Sequence, residues 1–104
     1  GKAAPGTDGG SSLMGFRNQF KNRRDANEPE IVAAFLAQGC TVERMDAPVD
    51  LAVGHRGRTY FVEVKTAKGG LTAPQEAFFA RWGGHAEVVR TVEDVADCLR
   101  RWVE

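Results

Sequence analysis

The chain has 104 residues, enough for no more than one domain of ordinary size. Its 14 basic and 14 acidic residues give a formal net charge of zero at pH 7, which argues against a simple polycation that coats nucleic acid. No apolar run approaches the length of a membrane span and no segment has the pattern of a signal peptide, so we expect a cytoplasmic protein without membrane contact.

Residues 1–22 are predicted to form a flexible basic tail, because glycine, serine, alanine and proline dominate the stretch 1–15. Residues 1–24 hold five of the 14 basic residues but one of the 14 acidic ones. Two interpretations stay open for residues 16–24: an arm that contacts nucleic-acid phosphates, or a solvated connector. The candidates for such contacts are Arg17, Lys21, Arg23 and Arg24, with Lys68 later in the chain.

The first predicted helix begins after Asn27 and ends near Gly39. Asn27 stands as an N-cap, and Glu30 follows it by three residues in the pattern of a capping box. Apolar side chains recur at helical spacing and predict the face that meets the core. These side chains are Ile31, Val32, Phe35 and Leu36.

Three strands are predicted next, over residues 41–44, 49–53 and 59–65, with a turn at residues 54–57 before the third. Their closeness in the sequence predicts an antiparallel meander. A second helix should follow Thr72, because Gln75 completes another capping-box pattern and places an amide in line with a row of aromatic residues.

A further strand over residues 86–90 and a last helix capped by Thr91 complete the order αβββαβα. We therefore predict an α/β domain in which helices flank a central mixed sheet of the three-strand meander plus one more strand. Cys40 and Cys98 lack the spacing of a metal site or redox motif and are predicted to be buried thiols. Core or dimer-interface positions are expected for the aromatic residues Phe78, Phe79, Trp82 and Trp102.

The last strand of the meander carries two opposite charges on one face. Strand alternation places Glu63 and Lys65 together, opposite the face of Tyr60, Val62 and Val64. If the charged face is buried, the pair costs several kcal/mol in desolvation, on the order expected for a buried ion pair. The alternative is an edge strand whose charged face is solvated.

A second carboxylate, Asp50, stands in the preceding strand. Pairing across the hairpin would bring Asp50 opposite the Glu63 region, so that two carboxylates and the amine of Lys65 converge. Two such acids repel one another unless a cation lies between them, and oxygen ligands with few protein donors favour Mg²⁺. The reaction class that suits this set is phosphodiester hydrolysis.

Asp50, followed after twelve intervening residues by Glu63-Val64-Lys65, resembles the D…(D/E)-x-K motif of the PD-(D/E)XK nuclease superfamily. The flanking segments resemble the small VRR-NUC type of phages and bacteria. The resemblance implies a restriction-endonuclease-like core and a VRR-NUC-like nuclease domain over residues 23–104. The flanking segments that carry it are residues 25–32, 50–54, 56–60 and 71–75.

The resemblance also implies a role for each matched residue. One assignment stays open, because Glu28 lies nearer to the apolar face of the first helix than Glu30 and competes with it for the same role. The implied roles are metal ligation by Asp50, Glu63 and the backbone carbonyl of Val64, water positioning by Lys65, support by Gln75, and completion of the metal site by Glu30.

The activity implied by the resemblance is that of a Mg²⁺- or Mn²⁺-dependent DNA endonuclease that cuts branched, flapped or junction DNA. Such an enzyme is expected to act as a homodimer in the cytoplasm of a bacterium or phage-infected host, within a larger phage or repair assembly. The alternative is a DNA-binding or assembly module that keeps the nuclease fold without turnover.

Overall fold

The structure is a computed structural model that describes residues 25–103. The predicted tail and its candidate phosphate contacts therefore lie outside the described residues; these are Arg17, Lys21, Arg23 and Arg24. No helix within the described range is both long and apolar enough to cross a membrane.

The described residues form an α/β domain in the predicted order αβββαβα. Element boundaries differ from the predicted ones by one or two residues, which leaves Asp50 just before a strand and Lys65 just after one. The elements are α1 Glu28–Ala37, β1 Thr41–Arg44, β2 Leu51–His55, β3 Arg58–Val64, α2 Ala73–Arg81, β4 Ala86–Val89 and α3 Val92–Trp102.

The four strands form one mixed sheet in the order β1-β2-β3-β4. Strands β1 to β3 are the predicted antiparallel meander, and β4 lies parallel to β3 after the excursion through α2. Arg56 and Gly57 both have positive φ, as the tight two-residue turn between β2 and β3 requires. Because β3 has a neighbour on each side, the edge-strand interpretation of its charged face is wrong.

One face of the sheet is covered by α1 and α3 and holds the apolar core. Tyr60 stacks on Trp102 with ring centroids 3.7 Å apart, and Phe35 stacks on the same indole at 5.8 Å. Cys40 and Cys98 are free and buried, as predicted, and burial raises the pKa of each thiol. Leu36, from the predicted apolar face of the first helix, is exposed instead, and Val92 and Val103 at the two ends of α3 are exposed as well.

Among the described elements, α2 is the one that covers the opposite face, and it closes this face only in part. Phe78 is buried against Phe61, with ring centroids 5.9 Å apart, whereas Trp82 at the end of the helix stays 44 % exposed. Glu63 shares this face with Phe61, as the predicted alternation requires. The polar residues of interest thus lie under a short helix, away from the main core.

Two of the three predicted helix caps form. Thr72 accepts from the backbone N–H of Gln75, and Thr91 accepts from that of Asp94, each in a full capping box. The predicted capping box of α1 is wrong, since the side chain of Asn27 makes no cap hydrogen bond within residues 25–103. Its amide is turned instead toward the ends of β3 and β4.

Candidate active site

The β2–β3 hairpin brings the two predicted carboxylates to one edge of the sheet. Leu51 pairs with Val62, so the next positions outward along the hairpin are Asp50 and Glu63. Asp50 Oδ2 accepts a hydrogen bond of 3.0 Å from the backbone N–H of Val64, which fixes the aspartate against β3. The register of this short hairpin therefore brings Asp50 close to the Glu63 region, as the sequence predicted.

Glu63 is buried, with 3 % of its surface exposed. One of its oxygens, Oε2, is 3.3 Å from Lys65 Nζ and accepts a hydrogen bond of 2.8 Å from Gln75 Nε2. The other oxygen, Oε1, is buried and has no hydrogen-bond partner among residues 25–103. A buried acceptor without a donor is costly, so this oxygen is placed to receive a proton or a cation.

The electrostatics of Glu63 agree with its geometry. Burial, the largest cause, and the nearby Asp50 together raise the pKa of Glu63 to about 7, although the charge of Lys65 acts in the opposite direction. Near neutral pH, Glu63 is thus divided between its protonated and ionised forms. A positive charge bound between the two carboxyl groups would favour the ionised form, because it would offset both the burial and the repulsion.

The side-chain amide of Gln75 has two roles: its oxygen caps the start of α2, and its nitrogen contacts the candidate site. Its Oε1 accepts from the backbone N–H of Thr72 at 2.9 Å, while its Nε2 donates to Glu63. The capping bond sets the orientation of the amide, and the orientation leaves only the N–H end available for the carboxylate. The helix start therefore positions one oxygen of Glu63.

These side chains border an open cleft of about 600 Å³. Within residues 25–103, four carboxylates line the cleft and Lys65 is the one cation that does so, so this part of the lining is acidic overall. The lining residues are Asp25, Asp46, Ala47, Pro48, Asp50, Glu63, Val64, Lys65, Thr72, Pro74 and Gln75.

The two candidate acids of α1 have different surroundings. Glu30 is exposed and is not among the residues that line the cleft. Glu28 is buried, with 1 % exposed, and its Oε2 is 3.4 Å from Arg44 Nε. It lines a side pocket of about 220 Å³ that shares Asp25 with the main cleft. The burial and neighbours expected of a site residue therefore belong to Glu28.

No group of three or more histidine, cysteine, aspartate or glutamate side chains in the described part of the chain is arranged to hold a metal ion. Mg²⁺ requires less, because it is commonly bound through one or two carboxylates and keeps several waters. Asp50 and the unpartnered Oε1 of Glu63 fit that requirement. Val64 contributes its N–H to Asp50, and Lys68 is exposed in the loop after the site.

Two cleft carboxylates were missed by the sequence reasoning, namely Asp25 and Asp46. Asp25 lies three residues before the start of α1, and Asp46 lies in the link between β1 and β2, and both line the cleft beside Asp50. The signal that could have found them is topological: segments that end at the same edge of a sheet place their flanking residues together.

Comparison of the chain with models of known protein families gives no match, and comparisons with curated proteins and with solved structures give none either.

Proposed function

We propose that this domain is a Mg²⁺- or Mn²⁺-dependent endonuclease that hydrolyses phosphodiester bonds in DNA and has a restriction-endonuclease-like core. The observation that carries the proposal is the state of Glu63. Lys65 and Gln75 hold one of its oxygens, and the other is buried beside Asp50 without a hydrogen-bond partner in the described range. A purely structural carboxylate would be expected to have both oxygens satisfied.

The metal would be held by Asp50 and Glu63. When bound, a divalent cation supplies charge neutralisation for a phosphate and acidification of a water molecule. The chain supplies the rest of the arrangement. Gln75 binds Oε2 of Glu63 and leaves Oε1 without a hydrogen-bond partner in the described range, and the N–H of Val64 fixes the Asp50 carboxylate.

Lys65 is the residue proposed to position the attacking water and to stabilise charge on the phosphate. Its side chain is 14 % exposed and lines the cleft, and one of the three N–H donors of its ammonium is directed to Glu63. The remaining donors can face a water or a phosphate oxygen. In a partly buried cleft such a fixed donor is worth more than in bulk water, because little solvent competes with it.

The charge of the cleft bears on the substrate. Four carboxylates repel a phosphodiester until a cation offsets them, so we expect DNA binding to depend on the metal. Affinity would also depend on basic residues outside the cleft, for which the residues proposed are Lys68 and the arm 16–24. A homodimer would place two such sites on one branched or junction substrate, within a phage or repair assembly.

The proposal is tested by cleavage of labelled linear duplex, 5′ flap, fork and four-way junction DNA with Mg²⁺, with Mn²⁺ and with chelator. Wild type is compared with Lys65→Ala and Asp50→Asn, and Lys68→Ala is the matched lysine control outside the cleft lining. We expect metal-dependent cutting that falls by at least about 100-fold in the first two variants. We expect it to weaken only through binding in the third.

Absence of cutting on every substrate by a folded wild-type protein would contradict the proposal. DNA binding that persists under those conditions would favour the alternative, a binding or assembly module without turnover. Cutting that survives Lys65→Ala unchanged would contradict the role assigned to the lysine.

A further inference from the structure

The side-chain amide of Asn27 joins the ends of two parallel strands. Its Nδ2 donates to the carbonyl oxygen of Lys65 at 3.1 Å and to that of Arg90 at 2.9 Å, residues 38 and 63 positions away in the chain. Lys65 directly follows β3, and Arg90 directly follows β4. Both N–H bonds of one amide are thus used to hold the two strand ends at a fixed separation.

This arrangement goes against the local preference of the residue. Asparagine before a helix usually accepts from the N–H groups of the first turn, and within residues 25–103 Asn27 makes no such bond. Its Oδ1 is buried without a hydrogen-bond partner in the same range. A missing cap and an unpaired buried oxygen both lower the stability of the fold. Such departures from local rules are expected where a residue serves a site.

The bond to Lys65 completes the hold on its backbone. The N–H of Lys65 donates to Val89 at 3.0 Å, and its carbonyl accepts from Asn27, so both backbone hydrogen-bonding groups of the lysine are fixed. The Arg90 guanidinium donates to the carbonyls of Thr66 and Gly69 and holds the loop that follows. Without these hydrogen bonds, Lys65 would be the first residue of a loop and its backbone would be as mobile as the rest of that loop.

We propose that Asn27 is a positioning residue for Lys65, which it acts on through the backbone without touching substrate. The proposal rests on the function proposed above for Lys65. A reacting group displaced by about 1 Å can lose on the order of 100-fold in rate, so a fixed backbone at this position matters for catalysis. The proposal also explains why the amide is turned to the strand ends and away from its own helix.

The test compares Asn27→Ala with Gln38→Ala, which alters an exposed side chain at the other end of the same helix. We expect Asn27→Ala to lower kcat by about 10- to 100-fold with KM and Mn²⁺ affinity changed less than about twofold. Gln38→Ala should leave all three unchanged. Introduced into Lys65→Ala, the Asn27→Ala change should produce no further loss, because the group that it positions is gone.

A second measurement does not depend on cleavage. Amide hydrogen exchange at Lys65 and Gly69 should be faster in Asn27→Ala than in wild type and unchanged in Gln38→Ala. If wild type cuts no DNA, the function proposed above fails, while exchange still reports whether Asn27 holds Lys65. Should Asn27→Ala not fold, Asn27→Ser keeps one donor and is judged by the same criteria.

Two results would overturn the proposal. One is exchange at these amides that is the same in wild type and in the Asn27 variant. The other is an equal fold-loss of activity from Asn27→Ala in the wild-type and Lys65→Ala backgrounds, which would indicate a general loss of structure.

Discussion

The two faces of the sheet are built for different purposes. The face under α1 and α3 is apolar and closed, with Tyr60, Phe35 and Trp102 stacked at its centre. The face under α2 carries a buried carboxylate, an ammonium and an open cleft of about 600 Å³. The first face buries apolar area and stabilises the fold. The second face lowers that stability, because burying charged groups costs desolvation free energy.

The same strand supplies both faces, and this is why a small domain can hold such a site. Val62 and Val64 anchor β3 in the core, so Glu63 between them cannot move toward solvent. On a flexible loop the two charged groups would move into water, and the pKa of the carboxyl group would return toward its ordinary value. The closed face therefore sets the geometry of the open one. Variants on the two faces should accordingly differ, with the larger losses of stability on the closed face and the changes in pH dependence and cleavage on the open one.

The largest expected effect separates the two tryptophans. Trp102→Ala should lower the free energy of unfolding by about 3–5 kcal/mol, because it removes a buried ring from the stack. Trp82→Ala should cost less than about 1 kcal/mol, because that ring is 44 % exposed. Urea denaturation measures both, with Trp102→Phe as the milder variant. Equal losses would mean that the α2 face contributes to stability as much as the core does.

The next effect is the pH dependence that Glu63 introduces. Its pKa of about 7 in the folded metal-free protein lies above the ordinary value of 4.5, so the folded state binds the proton more tightly than the unfolded chain. The stability that the proton on Glu63 gives to the folded state is fully present below pH 4.5. It is lost progressively as the pH rises from 4.5 to about 7, and it is absent above pH 7. The expected loss is about 3 kcal/mol.

Glu63→Gln should lack this loss. Denaturation in chelator at several values from pH 4.5 to pH 8 should show the variant gaining on wild type as the pH rises, while the exposed Glu76→Gln follows wild type. Mg²⁺ added at pH 8 should restore stability to wild type alone. Parallel pH profiles for wild type and Glu63→Gln would contradict the assignment of the shifted pKa.

A smaller effect distinguishes the two acids of α1. Glu28→Gln should lower stability by about 2 kcal/mol, because it weakens a charged contact between a buried carboxylate and Arg44. Glu30→Gln should stay within about 0.5 kcal/mol, as expected for an exposed position. The role that the family resemblance implies for Glu30 predicts that Glu30→Gln slows cleavage. The burial and neighbours of Glu28 predict instead that Glu28→Gln slows cleavage. The variant that loses activity identifies the residue.

The smallest stability effect comes from the two capping boxes. Gln75→Ala and Asp94→Ala each remove a reciprocal cap bond and one further hydrogen bond, to Glu63 in the first case and from the backbone N–H of Arg90 in the second, and each should cost between about 1 and 2 kcal/mol. Only Gln75 also contacts Glu63, so only Gln75→Ala should slow cleavage, by about 10-fold or more. Equal rates in the two variants would show that the amide acts as a cap alone.

Much of the candidate site could be predicted because it depends on local rules. Strand alternation assigns Glu63 to the face opposite Val62, and the turn predicted at residues 54–57 brings Asp50 toward Glu63 across the hairpin. Helical spacing puts Gln75 in line with a row of aromatic residues. The prediction failed for Asn27, whose partners lie 38 and 63 positions away. A capping pattern cannot reveal that a more distant acceptor competes for the same amide.

The sequence by itself determined the order of elements, the antiparallel meander, the two formed capping boxes and the separation of charged from apolar residues on β3. These follow from interactions between residues close in the chain. Only the tertiary structure decided that β3 lies inside the sheet, that Glu28 is buried while Glu30 is exposed, and that Asn27 joins the ends of β3 and β4. Each of these depends on which distant segments come together, and that is settled by the burial of apolar area across the whole domain.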